Sequence, residues 1–167
     1  MEFRSDITNG LSELLAKRLD GDGKRWAREV KFCNPECRVD FVAYKAAPYG
    51  WSCIGGIEHG VASFYEVKSC LADYNSGHGL NFYGDENWLV MPAELSRKLR
   101  GNLPMCVGVM IPVPSGSSVF AEIEKPTPYK GQTDGWGLHI QCRPSEGRGF
   151  FRRYSITEIL AAMLYAK

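Results

Sequence analysis

The stretch FYEVKSCLADY, residues 64–74, sets a carboxylate and an amine two residues apart, Glu66 and Lys68, inside an apolar run, and then adds Asp73. In an extended strand, residues two apart share a face, so Glu66 and Lys68 project the same way. Asp40 lies in RVDFVAY, next to Val39, Phe41 and Val42, where a carboxylate is costly to bury without a partner. If the two strands are neighbours, Asp40, Glu66 and Lys68 converge at one point. Two crowded carboxylates repel, and a divalent cation relieves that repulsion. Hard oxygen ligands suit Mg²⁺ or Mn²⁺. A lysine beside such a cation and a phosphate would stabilise hydroxide or the developing negative charge. The plainer reading of Glu66 and Lys68 is a structural ion pair on a half-exposed strand.

Other residues offer weaker chemistry. Asp73 is either a supporting residue of the site or a helix-start carboxylate that favours the N-terminal dipole. Glu13 could add a carboxylate from the first helix, but a helical wheel puts it nearly opposite Leu11, Leu14 and Leu15, where a solvated glutamate belongs. Glu29, one strand before Asp40, is a better supplementary ligand. His78 in SGHGLNFY is a proton-transfer candidate or an ordinary loop residue. Tyr49 and Trp51, in a Gly-rich connection, would either stack on bases or cap the sheet. The basic runs KRWAREVK, SRKLR and RPSEGRGFFRR, the last ending in Arg152 and Arg153, are phosphate contacts or solvated faces.

These residues need elements to hold them. Apolar positions 7, 11, 14, 15 and 19 predict a helix over 7–19, stopped by GDG at 21–23. RWAREVKF (25–32) reads as a strand with Trp26, Val30 and Phe32 on one face and Glu29 on the other; RVDFVAYKA (38–46) is its hairpin partner across CNPEC. Residues 47–60 read as an irregular connection and VASFYEVKS (61–69) as the third strand. A short helical or irregular segment leads to a strand in ENWLVMP (86–92), an amphipathic helix in AELSRKLRG (93–101) and the nearly all-apolar strand MCVGVMIP (105–112). SVFAEIEK (118–125) and WGLHIQC (136–142) both look strand-like. SITEILAAMLYAK opens with a capping box, Ser155 with Glu158, and carries apolar residues at 156, 159, 160, 163 and 164. Helical crossovers between strands require partly parallel pairing, so the expected architecture is an α/β sandwich on a mixed sheet.

A chain of 167 residues is most economically one domain, spanning 1–167. Its net charge of +1 does not announce a nucleic-acid binder. No apolar stretch approaches the roughly 20 residues needed to span a membrane, and MEFRSDITNG lacks a secretory pattern, so a cytoplasmic protein with no membrane partner is expected. The six cysteines are then reduced thiols. Cys33 and Cys37, with Cys53 or His59, would make a zinc site, but no second pair with comparable spacing follows, and zinc is not the expected metal.

RVDFVAY…FYEVKSCLADY resembles the D…(D/E)-X-K core of the PD-(D/E)XK nuclease superfamily, with 25 residues between Asp40 and Glu66. The wider run is similar to the branch containing MmcB-type DNA-repair proteins and related phage proteins. In that branch the motif is followed by an LADY-like segment (71–74), an aromatic stretch with a strand ending like NFYGDENWLVMP, and an arginine before a C-terminal helix, here RRYSITEILAAML. The resemblance covers roughly residues 8–112 and the last helix. It implies a restriction-endonuclease-like mixed central sheet flanked by helices, and hydrolysis of DNA phosphodiester bonds with Mg²⁺ or Mn²⁺. Asp40 and Glu66 would be metal ligands together with the carbonyl of Val67, and Lys68 the catalytic lysine. The implied partner is DNA, with a homodimer or a protein partner as further associations. Val39 stands where the name-giving proline would be, and NSGHG (75–79) replaces an expected Asp-x-Lys-aromatic run. That departure keeps a second expectation open, a catalytically inactive module of the same fold that binds nucleic acid or protein.

Overall fold

The helix α1 (Glu2–Gly21) forms because Leu11, Leu14, Leu15 and Leu19 fall on one stripe, and all four are buried. That stripe is laid across one face of a sheet, as seen in a computed structural model that describes residues 2–33, 35–145 and 152–166, with only the backbone of 2–4. The strands β1 (Arg25–Cys33) and β2 (Glu36–Lys45) form the expected antiparallel hairpin. Cys33 pairs with Glu36, so Glu36 already belongs to the returning strand; Asn34, in the turn, lies outside the described residues. The connection 47–60 contains a short helix, α2 (Ile54–Glu58), and is followed by β3 (Val61–Val67), antiparallel to β2.

Beyond β3 come α3 (Leu71–Asn75), β4 (Glu86–Val90), α4 (Ala93–Lys98) and β5 (Gly108–Pro114). The pairs β3–β4 and β4–β5 are parallel, as the crossovers through α3 and α4 demand. The segment 118–125 is not a strand. It is α5 (Val119–Glu124), capped by Ser118 accepting from the Ala121 amide. Val119 and Ile123, four apart, fit both an alternating strand and one helical turn, and both pack against the core as a helical pair. The strand β6 (Trp136–Cys142) then pairs antiparallel with β5, and α6 (Ile156–Tyr165) closes the described chain. The capping box of Ser155 and Glu158 is present in both directions. Leu164 departs from the expected apolar face and is exposed.

The six strands join one mixed sheet in the order β1-β2-β3-β4-β5-β6. On one face α1 covers Phe41, Ala43, Tyr65, Val67 and Val90. On the other, α6 covers Val30, Phe32, Val42 and Phe64, while α4 and α5 cover Leu89, Val109 and Ile111. The result is an α/β fold with helices on both faces.

The apolar residues of β1 do not share the single face expected of them. Trp26 belongs to the α1 face, whereas Val30 and Phe32 belong to the α6 face. The strand switches face at Glu29, whose φ is 51°, a left-handed backbone in a residue that pays for it sterically. β2 switches face too: Val39 packs with the α6 side and Phe41 with the α1 side, on either side of Asp40. The register places Glu29 opposite Asp40, so the hairpin is reoriented at this pair.

Candidate active site

The β2–β3 ladder runs only as far as Phe41 opposite Tyr65. The next positions would be Asp40 opposite Glu66, and there the strands part. Asp40 substitutes for the missing backbone partner: its Oδ2 accepts the Val67 N–H at 2.8 Å. This bond holds the Asp40 carboxylate at the fork, close enough to the Glu66 carboxyl for its charge to act on it. Val67 itself packs toward α1, and Glu66 and Lys68 go to the opposite side, as strand alternation predicts.

Glu66 and Lys68 are both buried, at 6% and 4% exposure, in a strand end whose neighbours are apolar. Burial pushes the Glu66 carboxyl well above the usual carboxylate range. The adjacent Asp40 charge pushes the same way and Lys68 pulls back. Lys68 does not close onto Glu66 as an ion pair. Its Nζ donates to the His78 carbonyl at 2.6 Å, and its backbone N–H continues the ladder to Val90. The loop after α3 therefore lies directly over the pair. Gly79, at φ 75°, sits so close to Glu66 that a Cβ there would run into the carboxylate.

These groups line a cavity of about 780 Å³ that opens between the N-terminal half of α1, the β1–β2 hairpin and the 77–81 loop. Asp40, Glu66, Val67 and Lys68 form its base. Glu29 reaches it, but its carboxylate is held by Arg38 at 3.1 Å at an exposed position. Asp73 also faces the cavity, and its Oδ2 accepts from the Ser69 amide at 3.2 Å, the role of a carboxylate tying down a helix start. His78 contributes its carbonyl to Lys68, with its side chain exposed at the rim.

Several expected contacts lie elsewhere. Glu13 is exposed and outside the cavity; its charge acts on Tyr129 instead. Tyr49 and Trp51 are remote from the cavity, and Trp51 packs its ring on Tyr44 at 5.6 Å. Arg152 pairs with Asp85 at 3.0 Å, and the Arg153 backbone binds the Tyr83 carbonyl, so neither side chain borders the cavity. Of the basic run 143–153, residues 146–151 lie outside the described residues. All six cysteines are free, and Cys37 is buried against the Tyr154 hydroxyl at 3.1 Å while Cys33 is exposed.

The cavity also holds residues that strand and helix patterns did not mark out. Thr8, Asn9 and Ser12 present an uncharged polar face of α1, where Glu13 had drawn attention. Positions 8, 9 and 12 are one helical face, and that spacing was the available signal. Arg28 pairs in register with Phe41, beside Asp40, and its guanidinium lies 5.0 Å from the Phe41 ring centre. Its Nε is buried without a hydrogen-bond partner among the described residues. Only the hairpin register brings Arg28 to the site.

As a donor set, Asp40 and Glu66 are two hard oxygen groups lining one cavity, with the Asp40 charge disfavouring ionisation of Glu66, a repulsion that a hard divalent cation would relieve. Among the described residues no group of three or more His, Cys, Asp or Glu gathers at one point. A cation here would thus rest on two carboxylates and a backbone carbonyl such as that of Val67, with the remaining positions left to water and substrate, the habit of Mg²⁺.

No family model and no curated protein matches the chain. Among solved structures it is similar to the SPO1766 protein of unknown function from Silicibacter pomeroyi, at 16% identity and a TM-score of 0.58, over 95% of this chain and 84% of that one. At that identity the likeness is one of fold. No described helix is long and apolar enough to cross a membrane.

Proposed function

We propose that the chain is a metal-dependent nuclease of the PD-(D/E)XK, restriction-endonuclease-like kind, hydrolysing DNA phosphodiester bonds in DNA repair or in the processing of phage or mobile-element DNA. The observation that carries this reading is the fork between β2 and β3, where Asp40, Glu66 and Lys68 meet at the base of an open cavity. Asp40 and Glu66, with the Val67 carbonyl, would hold Mg²⁺ or Mn²⁺. When bound, such an ion lowers the pKa of water and offsets charge on a phosphate. Lys68 would leave the His78 carbonyl and donate to the phosphate oxygens as negative charge develops. Arg28, which lines the cavity and whose Nε has no hydrogen-bond partner among the described residues, would orient the phosphodiester beside it. The reading takes the protein to act in the cytoplasm.

The test is cleavage of plasmid and single-stranded DNA with Mg²⁺ or Mn²⁺. The proposal expects metal-dependent cleavage that Asp40→Ala and Lys68→Ala abolish; cleavage that survives both substitutions overturns the mechanism. A second reading, an inactive module of the same fold that binds nucleic acid or protein, is favoured by one observation, the occupation of the Lys68 amine by the His78 carbonyl. It expects DNA retention without cleavage and no Mn²⁺ binding that depends on Glu66.

A further inference from the structure

A second cavity, of about 740 Å³, lies at the opposite end of the sheet from the carboxylate fork, beyond the C-terminal end of α1. Along β3 the two are separated by the run from Ser63 to Glu66, roughly 10 Å at the usual strand rise. Four cations reach this cavity from four segments: Arg18 from α1, Lys24 from the turn after it, Lys45 from the end of β2 and Arg143 from the end of β6. The two carboxylates in the lining are already engaged. Asp22 stands 3.9 Å from Lys24, and Glu86 accepts from the Ser63 hydroxyl at 2.8 Å and the Trp88 ring N–H at 3.3 Å.

Three donors are left over. Lys45 and Arg143, both solvent-exposed, have no ion-pair or hydrogen-bond partner among the described residues, and Arg18 donates its Nη1 to the Leu138 carbonyl while its buried Nε has no partner among them. A buried guanidinium N–H with no protein acceptor is met by water or by an anion, and an anion makes the stronger, charge-assisted bond. The cavity is not purely polar: Trp88, stacked on Tyr65, lines it with Met110 and Ile140. Cations at the rim over an apolar floor, in a recess of this size, match a small ligand with a charged end and a flat or apolar body. A phosphate suits the donor set, because a guanidinium and two further cations from different segments can share its oxygens.

We propose that this second cavity binds a small phosphorylated ligand of nucleotide size, its phosphates held by Arg18, Lys45 and Arg143 and its body set against the Trp88 side. The site is built from residues that play no part in the carboxylate fork, so it stands or falls separately from the nuclease reading. Calorimetric titration of the whole chain with inorganic pyrophosphate and with ADP, in EDTA so that no divalent cation contributes, tests it. Saturable one-to-one binding is expected, tighter for ADP than for pyrophosphate. Lys45→Glu and Arg143→Glu should each weaken it by about tenfold or more, the loss of one charge-assisted contact. Asp40→Ala should leave it unchanged. Circular dichroism of each variant establishes that it is folded. Absence of saturable binding, or binding indifferent to both charge reversals, overturns the site. Equal affinity for the two probes overturns the role of the apolar floor, and displacement of ADP by a short single-stranded oligonucleotide overturns the assignment to a small ligand.

Discussion

At the scale of single residues, the protonation of Glu66 governs what the fork can do. Burial and the neighbouring Asp40 raise its pKa, so between the ordinary carboxylate range and that raised value the folded chain keeps a proton that the unfolded chain has released. Stability therefore falls as pH rises through that interval. Glu66→Gln removes the ionisation, so in EDTA it should melt higher than the wild type at pH 8, by roughly 2–4 °C for each kcal/mol gained. The difference should shrink toward pH 4 and vanish below it, where both states of the wild type are protonated. Thermal melts at the two pH values read this directly; a variant less stable at pH 8 would contradict it. A cation must displace the same proton, so Mn²⁺ affinity should climb with pH and its binding should release protons into the buffer, seen as a dependence of the calorimetric heat on buffer ionisation enthalpy. Asp40, Glu66 and Lys68 were legible in the sequence because strand alternation and the cost of burying charge both single them out. Arg28 was not, since its place depends on a cross-hairpin register that one strand cannot reveal.

Elements decide whether those residues meet. The loop after α3 does so through Gly79, which must be left-handed and must have no side chain where it touches Glu66. Gly79→Ala should cost about 1–3 kcal/mol from backbone strain and displacement of the carboxylate and, if the fork cleaves DNA as proposed, should lower cleavage as well. By contrast, Ser155→Ala removes a helix cap on α6, which packs over β1 and not on the cavity, and should cost about 1 kcal/mol with cleavage unaltered. Denaturant melts paired with the cleavage assay separate the two: comparable loss of activity in Ser155→Ala would show that activity merely follows stability. Elements were read well where periodicity was long. The α1 stripe and the Ser155 box needed no tertiary information. The segment 118–125 reads as a strand in sequence yet forms α5, because apolar residues four apart satisfy both periods over so short a run. The face switch at Glu29 was invisible because a left-handed φ at a glutamate leaves no mark in a hydrophobic pattern.

For the whole molecule, the sheet order follows the chain order, antiparallel at both edges and parallel in the middle, and helical crossovers between apolar strands foretold that mixture. What composition could not show is polarity of use: the fork and the cationic cavity occupy opposite ends of one sheet, although the net charge is only +1. Charge is segregated locally rather than accumulated overall. If the fork binds DNA as proposed, association should weaken with salt, and the slope of log affinity against log salt counts the phosphates engaged. Arg28→Gln should weaken DNA binding while leaving Mn²⁺ affinity within about threefold of the wild type, as befits a phosphate contact and not a ligand. The most direct test of the central claim is a crystal of the protein soaked in Mn²⁺ and measured at a wavelength where manganese scatters anomalously. A metal site at the fork gives a peak between the carboxylates of Asp40 and Glu66, absent in Asp40→Ala. An empty fork in a soaked, well-ordered crystal of the wild type would contradict it.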